Sequence, residues 1–443
     1  MKSLYVDDVL KKIEENKKVE LLGWIKSKRD LGNTVFLDVT DSSGSIQVII
    51  KKDVLTPEMF LEIKKAHVES VVKVSGIVVT NLSRNTKEIS AKDFEVISPA
   101  TLNVSPHPRK DFDIFNPKYT DLILSDRHLF LRNEKIMAIL KFKCNFINII
   151  HEWFKKQDFT HIDAPILTQA LLYDDKSAFK IDFFGTELFL TQCVAFYLEA
   201  AINAFEKVYN LTPSFRAEHS RSTRHLAEFW HLKAEIAFAN FNDMLKFSEK
   251  TFYYIIKNSI EKNKKELKTL NVSIDIDKLK PPYPKITYDK AIDILQSKGS
   301  KIEWGKSLGA DEEKILSYEF EVPFFVTGLP SSVEPFPFAA DPLNLKITKT
   351  ADLITPDGYF EVLGIAEKIH KPDELLRRMK EVGKATKSLI ERYKWYIELR
   401  NYGCAPHSGL GMGIERVIRW MLKLPHVRDV ISFPRLYGRL PYP

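Results

Sequence analysis

Apolar and polar residues alternate along five stretches between Val19 and Pro99: VELLGWIKS, TVFLDVTD, GSIQVII, ESVVKVSGIVVT and KEISAKDFEVIS. Successive strand side chains point to opposite faces, so each stretch predicts a half-buried strand. Turn signals at Leu31-Gly32-Asn33 and Asp41-Ser42-Ser43-Gly44 separate the first three. With a helix-like PEMFLEIKKAH after the third strand, this is the layout of an OB barrel, a scaffold that often binds single-stranded nucleic acid. Leu102 to Asp121 carries three prolines and little periodicity, as a hinge does. Beyond it the period lengthens. Asn133 can cap a helix with apolar positions Ile136, Ile139, Leu140, Ile147, Ile150 and Phe154, and FTHIDAPILT reads as a strand. Asn240 to Lys268 reads as one long Lys-rich amphipathic helix with a solvated charged face. The expected domains are therefore 1–101, a hinge at 102–125, and a larger domain at 126–443.

The stretch from Pro213 to Phe238 organises that larger domain. It reads as strand, polar turn and strand. Phe229, His231, Lys233 and Glu235 fall on one face of the second strand, and Trp230, Leu232, Ala234, Ile236 and Phe238 on the other. The second face is a core face. The first is free to line a site, joined by Arg216 from the partner strand and by Arg221, Arg224 and His225 from the turn. Guanidinium forks and a flat ring suit a nucleoside triphosphate; an amphipathic hairpin with a solvated turn is the alternative.

Composition narrows the setting. The 443 residues favour two or three domains, and 44% hydrophobic with 28% charged residues is ordinary for a globular protein. No apolar run reaches a membrane span and the N-terminus lacks a signal peptide's apolar stretch, so a cytoplasmic protein is expected, without a membrane partner. Cys144, Cys193 and Cys404 form no CxxC pair and read as small core residues. The net charge of +7 is compatible with a nucleic-acid partner without requiring one. GSKIEWGKS fails as a phosphate loop: Gly299 stands one residue too far from Gly305 and no strand precedes it.

FRAE, the polar loop, RHL and then EFW resemble motif 2 of the class II aminoacyl-tRNA synthetases, aspartate and asparagine subgroup. The helix after Asn133 with FTHIDAPILT resembles motif 1. PHSGLGMGIERVIRWMLKL, with glycines 409, 411 and 413, resembles motif 3. GWIKSKRDLGNTVFLDVTD with IQVII is similar to the subgroup's anticodon-binding domain, and LFLTQCVAFYLEA, Ser408 and the terminal RLYGRLPYP lean to its archaeal asparagine branch. The resemblance implies an α+β protein, an OB-fold barrel followed by a class II catalytic domain whose antiparallel sheet is flanked by helices. It also implies ATP as substrate, Mg2+, a tRNA partner and a homodimer formed through motif 1.

Residue by residue, the resemblance implies catalytic Arg216 and Arg416, and an ATP site of Arg216, Glu218, Arg224, His225, Phe229, Glu361 and Arg416. The metal would be held by Asp352 and Glu361. These acids flank a Pro-Asp-Gly turn, and their spacing alone suits a structural pair equally well. Arg29, Phe36 and Gln47 would read an anticodon base, with Phe36 stacking on it unless the ring belongs to the barrel core. The amino-acid pocket would contain Ala195, Lys233, Gly364 and Lys368, and here the chain departs from the family. Lys233 replaces an acid, Lys368 an arginine, Ala195 a glutamine, and Ile365 and Ala366 follow Gly364. LLYDDKSAF stands where a mobile loop carries Glu-Gly-Gly, with Asp174 or Asp175 as the candidate acid. An ammonium in place of a carboxylate repels a substrate ammonium by about 1–4 kcal/mol at contact distance. The readings left open are an asparagine–tRNA ligase, a paralogue that activates another carboxylate (aspartate, or aspartate amidated to asparagine), and an RNA-binding or regulatory protein that does not aminoacylate.

Overall fold

The computed structural model of the chain describes residues 2–101 and 112–440. They form two compact units, Met1–Asp113 and Ile114–Pro443. Of the expected hinge, residues 102–111 lie outside the described residues, while Pro117–Tyr119 and Thr120–Ser125 are helical. Residues 441–443 of the terminal RLYGRLPYP also lie outside them.

In the first unit the alternating stretches become β1 (Lys18–Asp30), β2 (Thr34–Thr40), β3 (Ser45–Lys51), β4 (Val71–Asn81) and β5 (Thr86–Ser98), closed into a barrel in the order β1-β2-β3-β5-β4. Leu21, Ile25, Val35, Leu37, Val48 and Val74 fill its interior. The sequence did not reveal helix α1 (Val6–Lys12), whose Val6 and Val9 seal the barrel while the Val6 amide donates to Asp41 at 2.9 Å. Helix α2 (Pro57–Lys65) follows β3 as expected, capped by the Thr56 hydroxyl.

In the second unit helix α3 (Glu134–Lys156) begins at Asn133, whose side chain accepts from the amides of Lys135 and Ile136. Eight strands form the sheet: β6 (Thr160–His161), β7 (Lys207–Phe215), β8 (Glu228–Ala237), β9 (Lys285–Thr287), β10 (Phe324–Thr327), β11 (Thr350–Ile354), β12 (Glu361–Lys368) and β13 (His407–Gly413). Their order is β9-β10-β11-β12-β13-β8-β7-β6. The two edge pairings are parallel and the interior ones antiparallel. Leu232, Ala234, Leu363, Met412 and Leu353 form an apolar face that packs with α3. Helices α4 (Ala195–Phe205), α5 (Phe241–Lys262), α6 (Ala310–Ser317) and α7 (Ile414–Met421) complete the frame. The expected α+β architecture is present.

Several local expectations fail for identifiable reasons. Phe238 lies beyond β8 with φ +62° and is 71% exposed, so it leaves the core face. The Lys-rich helix breaks at Asn263, whose side chain bonds back to the Ser259 carbonyl and receives the Asn145 amide at 2.7 Å. FTHIDAPILT yields only β6 and a two-residue strand, Leu167–Thr168, in a separate small sheet. Cys144 is exposed, whereas Cys193 and Cys404 are buried.

One buried ion pair ties α3 to α7. Lys143 Nζ lies 2.6 Å from Glu415 Oε1, and Glu415 Oε2 accepts the Trp230 amide at 3.0 Å. Lys143→Met removes the cation and leaves Glu415 buried without its counter-charge. Chemical unfolding is expected to show a loss of about 3–5 kcal/mol, and a K143M/E415M double variant should lose less than K143M alone.

Candidate active site

The face of the sheet opposite the apolar core floors a cavity of about 400 Å3. Phe229, His231, Lys233 and Glu235 of β8 all line it, as their two-residue period requires. Lys233 pairs with Gly411 and Gly411 with Gly364; Glu235 pairs with Gly409 and Gly409 with Ala366. These small residues pave the floor. A methyl at Gly409 would meet the Glu235 carboxylate, and one at Gly411 the Lys233 ammonium.

The nucleotide-type half gathers most of the expected residues. Arg216 lies under the Tyr173 ring at 4.8 Å and near the Phe229 ring at 5.6 Å. Its Nε is buried without a partner among the described residues, so the fork has unspent donors. Glu218 bonds His225 Nε2 at 3.0 Å and lies 3.6 Å from Arg216. That histidine hydrogen bond, more than the arginine, draws the Glu218 carboxyl down to about 2. Arg224 pairs at 2.5 Å with Glu313 of α6, whose other oxygen accepts the Glu361 amide at 2.8 Å. Arg416, at the start of α7, pairs with Glu361. Arg221, placed in the cationic turn by sequence, is exposed, sits against Gly438 and does not line the cavity.

Asp352 and Glu361 line the cavity from adjacent strands β11 and β12. A Cβ built on Gly364 would lie 3.1 Å from Asp352 Oδ1 and 4.0 Å from Glu361 Oε1, so the two carboxylates face one spot above that glycine. Burial, with Glu361, Glu334 and Glu313 nearby, pushes the Asp352 carboxyl well up. Two hard oxygen donors under mutual repulsion suit a magnesium ion.

The amino-acid-type half differs from the expected pocket. Lys233, Gly364 and Lys368 line it, but Ala195 does not: it is buried at the start of α4 in a cluster with Phe196 and Phe336. Asp174 caps a short turn by accepting the Lys176 amide, and Asp175 pairs with Arg392 at 2.5 Å, so neither reaches the cavity. Tyr173 does. Lys368 lies 3.7 Å from Glu235, 3.9 Å from Glu199 and 4.2 Å from the Phe338 ring centroid. Behind it Glu199 also binds Arg400 at 2.5 Å, Tyr396 at 2.5 Å and His407 at 3.2 Å, all buried. Burial opposes the charge on Glu199, yet the Arg400 charge and the His407 hydrogen bond hold its carboxyl far below the usual range. His407 is raised to about 10: burial works against it, and hydrogen bonding to Cys404 and Glu199 prevails. His231 is driven well down by burial and by the Lys233, Arg216 and Arg416 charges, and is neutral.

On the barrel, Arg29, Phe36 and Gln47 come together. The Arg29 guanidinium lies 5.5 Å from the Phe36 ring and donates to Gln47 Oε1 at 2.9 Å. Phe36 is half-buried on the outer face, while its neighbours Val35 and Leu37 fill the interior, so it is not a core residue. Glu88 extends the patch by accepting from Gln47 and Asn81.

The sequence reading missed Tyr173, Glu199, Glu313, Glu334, and Arg400 and His407, which both bind Glu199. Each arrives from a segment remote in sequence and carries no spacing signal; only the period of β8 pointed to Glu235.

Two family descriptions match the chain: tRNA synthetases class II (D, K and N) over residues 119–437 and OB-fold nucleic acid binding domain over residues 19–97. An asparagine–tRNA ligase of Thermococcus kodakarensis is 40% identical over 444 residues, 99% of each chain. One of Desulforamulus reducens is 34% identical, covering 97% of each. The crystal structure of asparaginyl-tRNA synthetase from Pyrococcus horikoshii complexed with asparaginyl-adenylate superposes with a TM-score of 0.92 at 39% identity, covering 100% of both chains.

The glycine floor and the buried charges lead to two expected outcomes. Gly409→Ala drives a methyl into all three terminal atoms of the buried Glu235 carboxyl group and should cost about 1–3 kcal/mol in chemical unfolding, whereas Gly411→Ala meets chiefly the flexible end of Lys233, with His231 Nε2 3.2 Å away, and should cost less. The raised His407 contributes stability that is fully present below its unfolded value of 6.5 and is lost as pH rises through about 10. The stability deficit of His407→Asn relative to wild type, followed by thermal unfolding, should therefore be larger at pH 6 than at pH 10.5.

Proposed function

This chain belongs to the class II tRNA synthetases of the aspartate, lysine and asparagine group, and we propose that it is the group's asparagine–tRNA ligase. The observation that carries this reading is a charged cavity on a glycine floor in a chain alignable end to end with asparagine enzymes. The reaction has two steps. The asparagine carboxylate attacks the α-phosphate of ATP and pyrophosphate leaves; a hydroxyl of the 3′-terminal ribose of tRNA then takes the acyl group from the adenylate, and AMP leaves. No side-chain nucleophile is needed, so catalysis lies in positioning and charge stabilisation.

In this reading Arg216, held between Tyr173 and Phe229, places its fork on the α-phosphate as negative charge builds there. Phe229 and Arg416 enclose the adenine, with Glu218, Arg224 and His225 around the nucleotide. Asp352 and Glu361 would hold a magnesium ion, which neutralises charge on the outgoing pyrophosphate when bound. Arg29, Phe36 and Gln47 would hold an anticodon base of the tRNA. The working form is a homodimer joined through α3 and β6, in the cytoplasm where tRNA is charged.

One observation favours a second reading. Two ammonium groups, Lys233 and Lys368, line the half that takes the side chain, and such a pair suits the carboxylate of aspartate. ATP–pyrophosphate exchange with each of the twenty amino acids, with and without tRNA, separates the two. Exchange with asparagine is the expected result, and Arg216→Ala should lower its kcat about 10²–10³-fold. Exchange with aspartate alone replaces the first reading with the second; no exchange with any amino acid overturns both.

A further inference from the structure

An amino acid enters such a cavity as a zwitterion, and its three polar groups need three different partners. The Arg216 region receives the carboxylate, and Lys233 and Lys368 face the side chain. The α-ammonium needs an acid between them. Three acids that line the cavity have a cationic partner: Glu235 lies 3.7 Å from Lys368, with its Oε2 lacking a hydrogen bond among the described residues, Glu361 pairs with Arg416, and Glu415 pairs with Lys143 at 2.6 Å. Among the described residues, Asp352 and Glu334 line it without an ion pair or hydrogen bond to their carboxylates. Asp352 faces the spot above Gly364 that it shares with Glu361.

Glu334 remains, and its placement suits the task. It lines the same cavity as Lys368 and as Tyr173, whose ring lies 4.8 Å from the Arg216 guanidinium. An acid on that wall shares the cavity with the groups assigned to both ends of the substrate. Its segment is held firmly. Pro335 biases Glu334 toward an extended backbone, Phe336 is buried among Tyr393, Tyr396 and Phe196, and Arg378 clamps the Ser331 carbonyl at 2.8 Å. Resting on the ligase reading, we propose that Glu334 binds the α-ammonium of the amino-acid substrate and so supplies the negative charge that Lys233 does not. It is a binding and specificity residue: it selects α-amino acids over their deamino counterparts.

The test compares L-asparagine with succinamic acid, the same molecule without its α-amino group, in wild type and Glu334→Gln. In ATP–pyrophosphate exchange, E334Q should raise the KM for asparagine about 10- to 100-fold, the loss of one charge-assisted hydrogen bond, and leave the KM for ATP within about twofold. Succinamate, measured as a competitive inhibitor of exchange, should bind wild type and E334Q equally. An unchanged asparagine KM overturns the assignment, and so does parallel weakening of asparagine and succinamate, which marks a structural role. If wild type exchanges with a different amino acid, the asparagine reading alone falls, and the comparison is repeated with that amino acid and its deamino analogue. If wild type exchanges with none, both fall.

Discussion

Charged side chains lying directly on backbone are the constraint from which this catalytic unit follows. Lys233 and Glu235 leave β8 and cross its neighbour β13 over Gly411 and Gly409, at a distance where a single methyl would collide. The glycines let a sheet with an apolar underside carry a charged, hollow upper face. The buried charge is then tolerated because it is shared: Lys368 sits among Glu199, Glu235 and the Phe338 ring, and Glu199 is held in turn by Arg400, Tyr396 and His407. Removing one member of such a set leaves another charge uncompensated, which costs far more than the pair contributes.

The two halves of the cavity divide by how their charges are engaged. Each arginine that lines the cavity meets an acid, Arg216 with Glu218, Arg224 with Glu313, Arg416 with Glu361. These pairs hold the forks in place, and Glu313 couples two of them, because it takes both the Arg224 guanidinium and the Glu361 amide. The lysines are matched less closely: Lys233 and Lys368 share the cavity with Glu235 and Glu334, and Lys368 comes no nearer than 3.7 Å to Glu235.

Legibility followed the range of the interaction. The barrel strands, Asn133 as a cap and the two faces of β8 were readable because strand alternation and capping are local. The cluster of Arg29, Phe36 and Gln47 was readable from a resemblance and came together as expected. Ala195 was misplaced because a match in a motif fixes a backbone position and says nothing about whether a methyl reaches the cavity. Asp174 and Asp175 looked like substitutes for a missing acid, and one became a turn cap and the other a partner of Arg392. Asn263 broke a helix whose periodicity ran straight through it, since its side chain found a better partner in Asn145 and the Ser259 carbonyl.

By itself the sequence determined the class of the protein: the alternating strands of a barrel, three motifs in order, a strand face of Phe229, His231, Lys233 and Glu235 with arginines on its partner strand and turn, and a pocket in which Lys233 stands for an acid and Lys368 for an arginine. Tertiary structure decided how that pocket is balanced. Glu199, Glu235, Glu334 and the Arg400–His407 segment lie far apart along the chain, and whether each neutralises Lys368, braces the sheet or stays free for a ligand depends on distances of a few ångströms. Coulomb interactions in a buried site vary steeply over such distances, and the spacing of residues along the chain carries no record of them.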